Sequence, residues 1–79
     1  MNNNEKLIRA FAEALNVHES SINDSLLYQG IPEWDSISHM ILISQLEAEF
    51  DVSIETDDVI DMSSFSKAKD ILTKYNIQF

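Results

Sequence analysis

Apolar residues return every three or four positions in three separate stretches of the chain, the spacing that gathers them on one side of an α-helix. Leu7, Ile8, Phe11 and Leu15 mark the first, with Asn3 or Asn4 as its expected cap, Glu5 in its first turn and Asn16 at its end. Leu42, Ile43, Leu46 and Phe50 mark the second, inside a segment from Ser36 to Phe50 that holds no helix breaker. Asp35 or Ser36 supplies the oxygen that the first free amides of that helix require. Phe65, Ala68, Ile71, Leu72 and Tyr75 mark the third, opened by Ser63 or Ser64 and closed with Lys74 near its negative end. Asp51 to Glu55 reads as a connector, after which Thr56 caps a short helix with Asp57, Asp58, Val59, Ile60 and Met62. No strand-like alternation competes with these elements.

Residues 16 to 35 carry Ser, Asn, Asp, the one Gly (Gly30) and the one Pro (Pro32), with apolar anchors at Val17, Ile22, Leu26, Leu27, Ile31 and Trp34. A connection of this length is uncommon without structure of its own, so a helical turn near Asp24 to Leu27 and a loop fixed to the core are expected. The sum is an all-α fold: a four-helix bundle with three longer helices, one short third helix and a long first loop. Seventy-nine residues fit a single domain, 1–79. Such a domain buries roughly 60 to 65% of its unfolded surface, which leaves little room for a deep catalytic cleft.

The second helix carries a second strip, Ile37, Ile41, Ser44 and Ala48. Two apolar strips exceed what a small bundle has to bury, so this one is either a broad core edge or a docking surface.

Composition narrows the partners. The formal charge is −9, yet the five basic residues sit only near the ends: Lys6, Arg9, Lys67, Lys69 and Lys74. Between Ala10 and Ser66 there are twelve Asp and Glu and no Lys or Arg. That field repels nucleic acid and anionic lipid and steers basic protein surfaces inward. The longest aliphatic run, Met40 to Ile43, is four residues, so neither membrane insertion nor secretion is expected, and a cytoplasmic monomer is. Without cysteine the chain has no thiol nucleophile of its own, and thiol chemistry would have to be imported.

Asp35, Ser36 and His39 are the residue types of a serine hydrolase, with Ser36 and His39 one helical turn apart. With all three in five consecutive positions, however, Asp35 cannot easily reach the far side of the imidazole, and no glycine elbow strains the serine into exposure. His39 reads better as a polar residue at the core margin, and His18 has no spaced partner for a metal. Asp51, Ser53, Glu55 and Asp57 alternate like an EF-hand, but Thr56 and Met62 stand where that loop needs glycine and glutamate, so no metal site is assigned. Attachment is the third reading. A serine at a helix start presents its hydroxyl outward, and the positive helix end favours a phosphodiester there. A plain helix cap has the same sequence.

Asp35-Ser36-Ile37, followed by a helix ending in Leu46-Glu47-Ala48-Glu49-Phe50-Asp51, resembles the acyl carrier protein family, whose hallmark is Asp-Ser-Leu at the start of the second helix. The similarity continues through Ile54, the acidic short helix from Thr56 to Met62 and Ser63-Ser64-Phe65, and so covers nearly the whole chain. The resemblance implies a non-enzymatic carrier. Ser36 would bear a covalent 4'-phosphopantetheine arm, installed from coenzyme A by a magnesium-dependent phosphopantetheinyl transferase, with Asp35 and Ile37 as its flanking motif residues. The arm's thiol would hold intermediates as thioesters, and an acyl chain would fold between helices. Acyl-loading and acyl-processing enzymes with basic docking surfaces would read Asp35, Ile41, Glu47, Ala48, Asp57 and Ile60. Carriers of primary fatty-acid synthesis are more acidic along the exposed side of the second helix, where this chain has Ile41, Ser44, Gln45 and Ala48. Together with Trp34 and Ile60, this points to a discrete carrier of a dedicated pathway, such as one making secondary metabolites or surface glycans. An aminoacyl or peptidyl carrier, and a helical interaction module without cofactor, stay open beside it.

Overall fold

The computed structural model describes residues 2–79. Four α-helices, α1 (Asn3–Leu15), α2 (Ser36–Phe50), α3 (Thr56–Asp61) and α4 (Phe65–Lys74), follow one another with no strand among the described residues. The all-α bundle with a short third helix is thus as expected. No helix is long and apolar enough to cross a membrane.

The three long helices stop in the same way. Asn16, Asp51 and Asn76 adopt the left-handed conformation, with φ of 57°, 53° and 70°. The next residue in each case donates its N–H five residues back: Val17 to Ala12, Val52 to Glu47 and Ile77 to Leu72. Short polar side chains tolerate this backbone better than other non-glycine residues, and the following Val or Ile packs on the core and holds the turn closed.

The starts of α1, α2 and α4 are set by side-chain oxygens, in part at positions other than those expected. Asn2, not Asn3 or Asn4, caps α1 by accepting the Glu5 N–H at 2.8 Å. Ser64 caps α4 by accepting the Lys67 N–H at 2.8 Å. Thr56 is the first residue inside α3, and Glu55 precedes it without a side-chain cap.

Leu7, Phe11 and Leu15 from α1, Leu42, Ile43 and Leu46 from α2, and Phe65, Ala68, Ile71 and Leu72 from α4 form the core. Phe11 stands at its centre, edge-on to Trp34 at 5.3 Å and to Phe65 at 5.0 Å. The long loop closes one side of it through Ile22, Leu26 and Trp34. Its helical turn lies at Glu19–Ser21, not at 24–27, where the backbone instead makes a tight turn with Leu26 N–H on Asn23. Leu27 is exposed, contrary to its expected role as an anchor, because residues 26–28 run alongside the start of α4. Phe65 N–H donates to Leu26, Tyr28 N–H donates to Ser63, and Leu27 pairs with Ser64. That pairing directs the Leu27 side chain outward and leaves the loop's end, Trp34-Asp35, beside the opening turn of α2.

Candidate attachment site at the start of α2

Asp35 performs the capping of α2. Its Oδ1 accepts the N–H groups of Ile37 at 3.0 Å and Ser38 at 2.9 Å. Ser38 reciprocates: its Oγ accepts the Asp35 N–H at 2.9 Å and donates to the Glu33 carbonyl at 2.7 Å. This box ties the loop to the helix and leaves Ser36, between its two members, with no part in it. The Ser38 N–H, ahead of the other donors, holds the Asp35 carboxyl below the usual carboxylate range. Its charge is therefore kept on the helix amides. Ser36 and Ile37 are exposed, Ile37 at 73%.

His39 is turned away from this serine. It is 8% exposed, and its Nδ1 lies 3.0 Å from Trp34 Nε1 while its Nε2 lies 2.8 Å from the Val59 carbonyl. An indole nitrogen only donates, so Nδ1 accepts and the ring proton sits on Nε2, directed at Val59. Both nitrogens are thereby engaged with groups other than Ser36. With Asp35 spent on backbone amides, neither Asp35 nor His39 is placed to activate the Ser36 hydroxyl as a base.

An open groove of about 310 Å³ starts at Ser36 and runs between α2 and α3. Met40 of α2 and Val59 and Ile60 of α3 form its walls, His39 its base, and Tyr28, Met62 and Ser63 its far side. The lining is mostly apolar. Ile60, 77% exposed, stands at its rim, and Asp57 is exposed one turn earlier on α3.

A second groove, about 520 Å³, lies between α1 and α2, bordered by Arg9, Glu13, Ile41, Ser44, Gln45, Ala48 and Glu49. Ile41 is 51% exposed and Ala48 is exposed too, so the strip Ile37, Ile41, Ser44, Ala48 faces solvent and is not core edge. The structure thus divides the residues picked out as a partner surface: Ile60 lines the groove at Ser36, whereas Ile41 and Ala48 line the other. Glu47 is half-buried, and its carboxylate accepts the Ile54 N–H at 2.8 Å, fastening the connector to α2. Met40 was not among the expected site residues, although its place four residues after Ser36 puts it on the same helix face. Tyr28, Val59 and Ser63 reach the groove by the packing of loop and α3, which no local spacing announces.

Fold and site together describe a platform: an exposed serine at a helix start with an apolar groove beside it. Comparison with protein families agrees. Residues 5–71 match the family described as the phosphopantetheine attachment site, and the chain belongs to that family. Searches of curated proteins and of solved structures return no significant match. Members of the family are carrier domains and not enzymes; they bear covalent 4'-phosphopantetheine and interact with phosphopantetheinyl transferases and biosynthetic enzymes.

The residues present fit such a group. Ser36 Oγ is outside the capping box and exposed, the first turn of α2 offers its positive end to a phosphodiester, and the groove offers apolar surface to what the arm carries.

Proposed function

We propose that Ser36 is the attachment serine and that the protein is an acyl carrier, presenting thioester-bound acyl groups to successive enzymes of a dedicated biosynthetic pathway. The observation that carries this reading is the division of labour at the helix start. Asp35 and Ser38 make every capping hydrogen bond, so the hydroxyl between them is free for chemistry. Ser36 Oγ gains a bond to the phosphorus of coenzyme A that links the arm, the phosphoanhydride bond to the adenosine bisphosphate breaks, and the hydroxyl proton leaves to a base of the transferase. The arm, once bound, supplies the thiol that this cysteine-free chain lacks. The apolar lining of the adjacent groove, Met40, Val59, Ile60 and Met62, supports acyl cargo.

Asp35, Ile37, Ile60 and Asp57 form the docking surface around the attachment point, and Ile41, Glu47 and Ala48 extend it along α2. Acids there set the rate of encounter with basic partners and exposed aliphatics set the grip. Incubation with coenzyme A, magnesium and a broad-specificity transferase is expected to add the mass of one arm per chain, and Ser36→Ala to remain unmodified. An unmodified wild-type mass, under conditions that load a control carrier, would refute the proposal. Polar replacement of Ile41 and Ile60 is expected to slow acyl transfer with the melting temperature unchanged.

A further inference from the structure

Aromatic rings stand at and beneath the groove at Ser36, two of them, His39 and Trp34, hydrogen-bonded to each other. His39 forms the base of the groove, with the Tyr28 ring 5.1 Å away on one side and the Trp34 indole stacked at 6.0 Å on the other. Trp34 is fully buried and meets Phe11 in an edge contact, so ring-to-ring contacts run from His39 to the core. His39 also joins the two walls, since its Nε2 holds Val59 of α3 while its backbone belongs to α2.

An aliphatic side chain at this position would swing aside for an incoming hydrocarbon at little cost. His39 cannot. Moving its ring strips the Trp34 indole N–H and the Val59 carbonyl of their partners inside the protein, and no such unpaired buried side-chain group exists among the described residues.

We propose that His39, held by Trp34, limits how deeply this carrier admits its cargo: short acyl groups lie in the surface groove, and longer aliphatic tails stay outside the core. This inference rests on the reading that Ser36 bears the arm. Its consequence is a cargo exposed to partner enzymes at every chain length, without a protected state that a partner must first reverse.

The test loads wild-type protein with butyryl, octanoyl and tetradecanoyl arms from the matching acyl-coenzyme A, with intact mass as the first readout. Failure to gain mass removes the attachment reading and this one with it. On loaded protein, two measurements follow: the lifetime of the thioester against hydroxylamine, and the position of the Trp34 indole N–H resonance, unambiguous because the chain has one tryptophan.

Expected are lifetimes that do not lengthen from butyryl to tetradecanoyl and an indole resonance indifferent to tail length. A lifetime and an indole shift that both grow with the tail would overturn the depth limit while leaving attachment at Ser36 intact. In His39→Leu the tetradecanoyl lifetime is expected to rise by about fivefold or more, roughly the population change that one ordinary hydrogen bond controls. Trp34→Phe, which frees His39 while keeping a ring in place, gives a smaller rise in the same direction and serves if His39→Leu does not fold. Flat lifetimes in the folded variants would overturn the role of His39.

Discussion

At the scale of single residues, neighbours in the chain hold separable duties. Ser36→Ala removes a hydroxyl that makes no capping bond, so its stability is expected within about 0.5 kcal/mol of wild type. Asp35→Ala unpairs two helix amides and is expected to lower the melting temperature, although it lies one position away and is exposed too. Thermal melts of the two variants check this; equal losses would mean that Ser36 shares the cap. Gly30 shows a different constraint. A Cβ there would sit 2.9 Å from the Leu27 carbonyl, to which Gly30 itself donates at 2.8 Å, so backbone must move to admit it. Gly30→Ala is expected to cost about 1–3 kcal/mol, read by urea denaturation. The motif serine was visible in the sequence because its signal is local. Which of Asp35, Ser36 and Ser38 cap the helix was not, because any of the three could supply the oxygen until the donors are assigned.

At the scale of elements, α3 is six residues long and is fastened at its middle to both neighbouring long helices. His39 of α2 binds the Val59 carbonyl, and buried Asp58 reaches α4, accepting from Lys74 Nζ at 2.5 Å and from the Tyr75 hydroxyl at 2.6 Å. The bond from Lys74 first, and that from Tyr75 second, lower the Asp58 pKa; the same bonds to Asp58 raise those of Lys74 and Tyr75. A carboxyl whose folded pKa is depressed adds stability above its unfolded value, about 3.9, and loses it as pH falls through the folded value. The raised Lys74 and Tyr75 add stability below their unfolded values, about 10.4 and 10, and lose it as pH climbs through the folded ones. The melting temperature is therefore expected to fall on both sides of a neutral plateau, and Asp58→Asn to flatten the acid side. An acid limb identical in Asp58→Asn would show that α3 is not held this way. Helix order and core faces were legible because the 3.6-residue period is carried by Leu7, Phe11, Leu46, Ile71 and their neighbours themselves. The α3 fastening was not, since Asp58 and Lys74 meet only after α4 packs, and Asp57 and Asp58 look equivalent in sequence. Leu27 misled for a similar reason: its pairing with Ser64, thirty-seven positions further along the chain, turns it outward.

At the scale of the whole molecule, folding brings the basic ends of the chain onto its acidic middle. Arg9 pairs with Glu49, Lys67 with Asp61, Lys69 with Asp24 and Lys74 with Asp58. Three of these pairs join partners that both retain substantial exposure, and such pairs contribute about 0–1 kcal/mol each. Against them stands a net charge of −9 on a body of 30 × 28 × 20 Å. At about 0.01 M ionic strength the screening length is about 30 Å, so the excess acids repel one another across the entire protein; at about 0.15 M it is about 8 Å, and repulsion shrinks to near neighbours. Salt weakens the four attractive pairs too, but these are short-range contacts that screening reduces less than the long-range repulsion. Net repulsion is the larger quantity lost, so the melting temperature is expected to rise on going from the lower to the higher ionic strength at neutral pH. A flat or falling response, measured by calorimetry in sodium chloride, would mean that the four pairs outweigh the excess of acids. The same screening is expected to slow encounter with a basic partner, so salt should stabilise this carrier and weaken its docking together.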